Sequence, residues 1–189
     1  MFFAALSLAL GALSPTLPVA SVTSGAAVAV CFSPEENCTA FAVDAIDRAE
    51  SQVLASAYTL TTGTGIVEAL IQAEQRGVDV KLIADRTTPC ERGSGIEPLA
   101  HAGVPVWIDQ GVRLAHAKAM VIDRKVVLTG SMNWTAGAAR NSDDINLISS
   151  EAVAAAYTVH WQNRQAVTRR EEWCRNPDVA GFKSETTQR

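Results

Sequence analysis

The chain has 189 residues, 48% of them hydrophobic, and a formal net charge of −4. That length fits one domain with a sizeable core. The acidic balance excludes a chain-wide attraction for polyanions, so any nucleic-acid contact has to come from a local basic face. No charged residue precedes Glu35, and residues 2–13 are an apolar run followed by Ser14-Pro15 and small residues around Ala20 and Gly25. This reads as a secretory signal peptide over residues 1–26, too short in its apolar part for a comfortable membrane span. It lacks a Lys or Arg near its start. An upstream start or an uncleaved anchor are therefore the alternatives to a cleaved signal. Export, to a periplasm or the exterior, is the expectation.

The cysteines Cys31, Cys38, Cys90 and Cys174 suit an exported protein with disulfides. Cys31–Cys38 with Cys90–Cys174 is the expected pairing, because the first two are close in sequence and can staple a strand end to a helix start. The spacings contain no Cys-x-x-Cys and no neighbouring His, which disfavours a metal site. Buried free thiols are the other alternative.

Residues 26–32 predict a first strand and 33–37 a turn. Asn37 or Thr39 caps a helix to about residue 51, with Phe41, Ala42, Ala45, Ile46 and Ala49 as its apolar stripe. Residues 53–60 read as a buried strand. Thr61 to Gly65 then lead into a helix that ends at Arg76 before Gly77. A lone Gly-x-Gly there is weak evidence for a phosphate cradle, and a plain strand-to-helix turn is preferred.

A strand at 78–84, a loop at 85–95, a short helix at 96–102 and a strand at 104–108 follow, with His101 as a surface residue at the short helix's end. After a hairpin, described below, come a strand at 145–148 and a helix at 151–167. The face of that helix holds Val153, Ala156, Tyr157, His160, Trp161 and Arg164, with His160 packed on it. Residues 27–175 thus form the domain, and residues 176–189 a polar tail. Strands alternating with helices argue for an α/β sandwich, and no internal duplication is present.

The hairpin carries the chemistry. His116 and Lys118 are two apart in an alternating strand, so imidazole and ammonium project from one face, continued by Met120 and Ile122 while Val121 points away. Asp123-Arg124-Lys125 is the turn and residues 126–128 the return strand. Ser131 and Asn133, again two apart, come back near the start of the first arm. One nucleophile or acid, one fixed cation and two neutral hydrogen-bonding groups make an anion site.

This spacing, His-x-Lys-x(4)-Asp-x(6)-Gly-Ser-x-Asn, resembles the motif of the phospholipase D superfamily, filled here by His116, Lys118, Asp123, Gly130, Ser131 and Asn133. Phe32-Ser33-Pro34, Ala45-Ile46-Asp47, the run Arg76 to Lys81, Asn141-Ser142 and His160-Trp161-Gln162 extend the likeness to the short bacterial phospholipase-D-type endonucleases. It covers roughly residues 28–170. The resemblance implies an α/β/α sandwich with a mixed central sheet flanked by helices. With one motif copy, it also implies a homodimer that builds its site across the two-fold axis.

One His116 would attack phosphorus and form a phosphohistidine, while the twin His116 protonates the leaving group and then activates water. Lys118, Asn133 and Ser131 would hold the phosphate oxygens. Asp123 is read as support, orienting the hairpin turn by an Asx-type bond. Asp143, or its neighbour Asp144, is the expected carboxylate behind His116, standing where the endonuclease-like members have Glu. No metal or other cofactor is needed by this scheme. As substrate, nucleic acid is favoured over phospholipid, with Arg113, Arg124, Lys125 and Arg140 flanking the motif as backbone-binding candidates. The phospholipid reading calls for an apolar rim, for which Val112, Leu114 and Trp134 are the candidates. An inert binding module is the third reading.

Overall fold

The structure is a computed structural model, and residues 25–168 are described. In chain order the elements are β1 (Ala27–Ser33), α1 (Cys38–Asp47), β2 (Gln52–Ala57), α2 (Ile66–Gln75), β3 (Asp79–Asp85), α3 (Ile96–His101), β4 (Val106–Asp109), β5 (Lys118–Ile122), β6 (Val126–Gly130), β7 (Asp143–Ser149) and α4 (Glu151–Ala166). The strands form one mixed sheet in the order β1-β7-β6-β5-β2-β3-β4. β2, β3 and β4 run parallel, joined by helical crossovers, and the remaining pairings are antiparallel. The register brings the ends of β1, β2, β3, β4 and β6 and the starts of β5 and β7 to one edge of the sheet. Ligands of open α/β sheets commonly bind beyond such carboxyl ends.

The alternation predicted for β5 holds. Met120 and Ile122 join the larger core, which α1, α2 and α3 cover. Val121 joins a smaller one with Leu54, Val127 and Trp161, beneath α4. The protein is thus an α/β/α sandwich, as expected. Asn37, not Thr39, caps α1, its side chain accepting the Ala40 N–H at 3.1 Å. Gly77 and Gly103 end their helices with φ of 91° and 95°. Cys31 and Cys38 are disulfide-bonded, stapling β1 to α1. Cys90 is also in a disulfide; Cys174, the partner expected for it, lies outside the described residues, as do residues 1–24 of the leader and the polar tail.

Two helical and strand expectations need correction. β2 ends at Ala57 rather than running to Leu60. Tyr58 still bonds in register with β5, its N–H on the Ala117 carbonyl, but the chain bends over residues 58–59 and Leu60 bridges Trp134 instead. On α4, Ala154 and Trp161 are the buried residues, whereas Ala156 and His160 are exposed. Among the described residues a single helix covers this face, and its contact stripe is narrow. Trp161 donates its indole N–H to the Ala55 carbonyl at 2.8 Å. Arg164 grips Asp109 with two nitrogens at 2.6 and 2.8 Å. These two ties set the rotation of the helix and turn His160 outward.

Asp123 supports the fold, but not as predicted. Its carboxylate does not close its own turn. It accepts the backbone N–H groups of Glu50, Ser51 and Gln52 and the Ser51 hydroxyl, at 2.7 to 3.0 Å. The segment leading into β2 is thereby tied to the hairpin. The hairpin turn itself holds Asp123 and Arg124 at φ of 53° and 57°, the primed geometry of tight hairpins. Non-glycine residues are uncommon there, and the bonds to Asp123 offset the strain.

Burial alone would raise the Asp123 pKa, but the backbone bonds from Gln52, Glu50 and Ser51 and the Ser51 hydroxyl outweigh it and hold it below the ordinary value. A depressed folded-state pKa contributes stability that is present above the unfolded value of about 3.9 and is lost as pH falls through the folded value. Asp123→Ala is expected to lower unfolding free energy at pH 7 by about 2 kcal/mol. It should also flatten the loss of stability below about pH 4. Urea melts across pH 2.5–7 check both; equal slopes for the two proteins would refute this role.

Candidate active site

His116 lies just before β5, at the sheet edge where the strand ends converge. The backbone on both sides of it is fixed. Ala115 donates its N–H to the fully buried Asp85 carboxylate, and the Ala117 carbonyl accepts the Tyr58 N–H at 2.9 Å. Lys118 then pairs with Ala57 in the ladder. The result is an exposed imidazole on a rigid base.

Lys118 is 7% exposed. Its Nζ donates to the His116 carbonyl at 2.8 Å and lies 3.1 and 3.3 Å from the two ring nitrogens. Burial pushes its ammonium below the ordinary lysine value, and the Asp143 carboxylate partly offsets this. Tyr58 completes the cluster. Its ring centroid is 4.3 Å from that of His116, tilted 46°, and 4.9 Å from Lys118 Nζ.

The return arm explains the Gly-Ser of the motif. A Cβ at Gly130 would collide with the Asp144 carbonyl oxygen, so only glycine lets β6 and β7 approach so closely here. Ser131 follows with a dense set of bonds. Its N–H reaches the Asp144 carbonyl at 3.1 Å, its hydroxyl donates to Asp143 Oδ1 at 2.7 Å, and Ser131 Oγ in turn accepts the Asp144 N–H at 3.1 Å. Asn133 is half-buried, and its Oδ1 is buried with no hydrogen-bond partner among the described residues.

The structure brings His116, Lys118, Ser131 and Asp143 to one edge of the sheet but revises three assignments. Asp143 is bonded to Ser131, not to His116. One methylene shorter than Glu, it engages the hydroxyl, and Asp144 accepts from the Asn146 amide at 2.6 Å. Asp123 and Arg124 sit at the opposite end of the hairpin, about 16 Å along the strand from Lys118. Arg124 therefore cannot share a phosphate with His116, and neither can its neighbour Lys125. Arg113, on the loop entering His116, and Arg140, in the short turn Ala138–Arg140 before β7, are exposed at the active edge. His101 is exposed at the end of α3. Among the described residues no cluster of His, Cys, Asp and Glu could hold a metal ion.

Two features were missed from sequence. Tyr58 was read as part of a buried strand. The other is a groove of about 480 Å³ between α4 and the sheet, lined by Leu54, Val121, Tyr157 and Trp161 and shared by His116, Lys118 and His160. His160 is thus a groove residue rather than a packed one.

Fold and site together define a class: an α/β enzyme that works on an anionic ester at the end of its sheet. Residues 42–164 match the family model for the cardiolipin synthase, PLD-like domain. The phospholipase D of Rickettsia conorii is 38% identical over 161 residues, 85% of this chain and 80% of that protein. The mitochondrial cardiolipin hydrolase of Xenopus tropicalis is 39% identical over 93 residues, 49% of this chain and 44% of that one. Among solved structures, Nuc of Salmonella typhimurium, a phospholipase D family member, superposes with a TM-score of 0.72 at 32% identity, covering 78% of this chain and 99% of that one. The chain belongs to the phospholipase D superfamily, and its activity is that of a phosphodiester hydrolase.

Proposed function

We propose that the protein is an exported, non-specific endonuclease that works as a homodimer through a phosphohistidine. One observation carries this reading: an exposed imidazole is held rigidly against a buried ammonium, and the chain has one such pair. A single imidazole cannot both bond to phosphorus and hand a proton to the leaving oxygen. The twin copy supplies the second. In the first step a His116 nitrogen bonds to phosphorus, the P–O bond to the leaving group breaks, and the twin His116 gives that oxygen its proton. In the second step the twin takes a proton from water as its oxygen attacks phosphorus and the P–N bond breaks.

Lys118 neutralises the non-bridging oxygens, where a preorganised and desolvated cation acts most strongly. Asn133 and Ser131 add hydrogen bonds, and the unpartnered Asn133 Oδ1 is consistent with a group that a ligand, water or second copy completes. Arg113 and Arg140 steer the backbone of the substrate. Nucleic acid is preferred because the apolar rim a lipid surface needs is sparse. Trp134 is 1% exposed, which leaves Val112, the half-buried Leu114 and, at the end of β1, the exposed Phe32. The leader over residues 1–26 and the Cys31–Cys38 disulfide support export.

The names of the Rickettsia relatives and the apolar lining of the α4 groove favour a second reading, hydrolysis of phospholipid head groups. One experiment separates the two. Plasmid DNA, RNA and phosphatidylcholine vesicles are incubated side by side with the protein, each with and without excess EDTA. The proposal expects cleavage of nucleic acid, undiminished by EDTA. Choline release with intact nucleic acid would establish the second reading instead, and activity lost in EDTA and restored by metal would reject the metal-free scheme.

A further inference from the structure

We propose that Tyr58 is a positioning residue whose ring face holds the His116–Lys118 pair in its reactive arrangement. The inference rests on reading that pair as the reacting centre. Tyr58 is the first residue past β2, and its main chain is tied on both sides of the site. Its N–H donates to the Ala117 carbonyl at 2.9 Å, and its carbonyl accepts the Thr88 hydroxyl at 3.1 Å. The side chain therefore cannot drift without moving either the segment that carries His116 or the loop after β3.

The ring makes two contacts at once, with the imidazole at a centroid separation of 4.3 Å and with Lys118 Nζ at 4.9 Å from its centroid. A π face attracts a cation within about 6 Å, more strongly once the cation is desolvated. Lys118 is such a cation. Its other close contacts are the neutral His116 carbonyl and the His116 ring, and Ser131 donates to the nearby Asp143 carboxylate. The ring thus supplies negative potential where no carboxylate touches the ammonium. It also limits the swing of an imidazole that is otherwise open to solvent. Both effects need the flat face and neither needs the phenol hydroxyl.

Steady-state kinetics on bis(p-nitrophenyl) phosphate test this with wild type, Tyr58→Phe and Tyr58→Leu, each checked for a wild-type melting temperature. Tyr58→Phe is expected to keep kcat within about threefold. Tyr58→Leu should lose about tenfold to thirtyfold in kcat, with KM nearly unchanged. If the leucine variant fails to fold, Tyr58→Met, unbranched and also without a π face, takes its place. A leucine or methionine variant with full kcat overturns the inference. So does a phenylalanine variant as impaired as the leucine one, because the hydroxyl would then be the working group, and so does a loss confined to KM. Failure of the underlying reading would look different. A His116→Ala protein would stay active, whatever the Tyr58 variants do.

Discussion

His116→Ala is expected to reduce hydrolysis of bis(p-nitrophenyl) phosphate by about 10⁴-fold or more while the protein stays folded. The size follows from what the imidazole is asked to do. In the proposed mechanism it is both the group that bonds to phosphorus and, in the twin, the acid for the leaving oxygen, so one substitution would remove two roles from every dimer. On that proposal, what would remain is the electrostatic stabilisation by Lys118 and the hydrogen bonds of Ser131 and Asn133. The fold should not notice. His116 is exposed, and the backbone on either side is held by bonds from Ala115 to Asp85 and from Tyr58 to Ala117, none of which uses the imidazole. A melting temperature near wild type with activity at background is therefore the expected pair of results. Retention of a tenth or more of the activity would mean that another group attacks phosphorus.

Much of this was readable from residue spacing. The two-residue step from His116 to Lys118 and from Ser131 to Asn133 places side chains by strand geometry alone, and the alternation in Met120, Val121 and Ile122 told the two faces of β5 apart. The position of Gly77 after α2 was equally plain. What escaped detection depends on contacts between segments far apart in the chain. Asp123 reaches back some seventy residues, to the lead-in of β2, and nothing near it in sequence announces those donors. Arg124 neighbours the motif in sequence, but a hairpin carries its turn away from its open end.

Tyr58 looked like one more strand residue because the His116 and Lys118 side chains that its ring meets at the bend after β2 lie some sixty positions away. His160 shared a helical face with Trp161 on paper. The Ala55 carbonyl and Asp109 decide which part of that face meets the sheet. Asp143 shows a subtler limit: it was expected behind His116, but its length and the closeness of the Ser131 hydroxyl set its partner.

The dependence of the centre on a second copy is the boldest part of the account, and it predicts a large effect of its own. Each dimer would hold one composite site that uses both imidazoles. A chain with an intact His116 should be silenced when its partner lacks one. Random pairing sets the size of the effect. At a ninefold excess of His116→Ala chains, only about one in ten wild-type chains finds a wild-type partner in a closed two-fold assembly. The measurement is co-expression of the two chains under different tags at several ratios, with activity expressed per wild-type chain. The account predicts that this specific activity falls in step with the wild-type fraction, to about one-tenth at the ninefold excess. Specific activity that stays constant at every ratio would show that each chain works alone and would contradict the shared site.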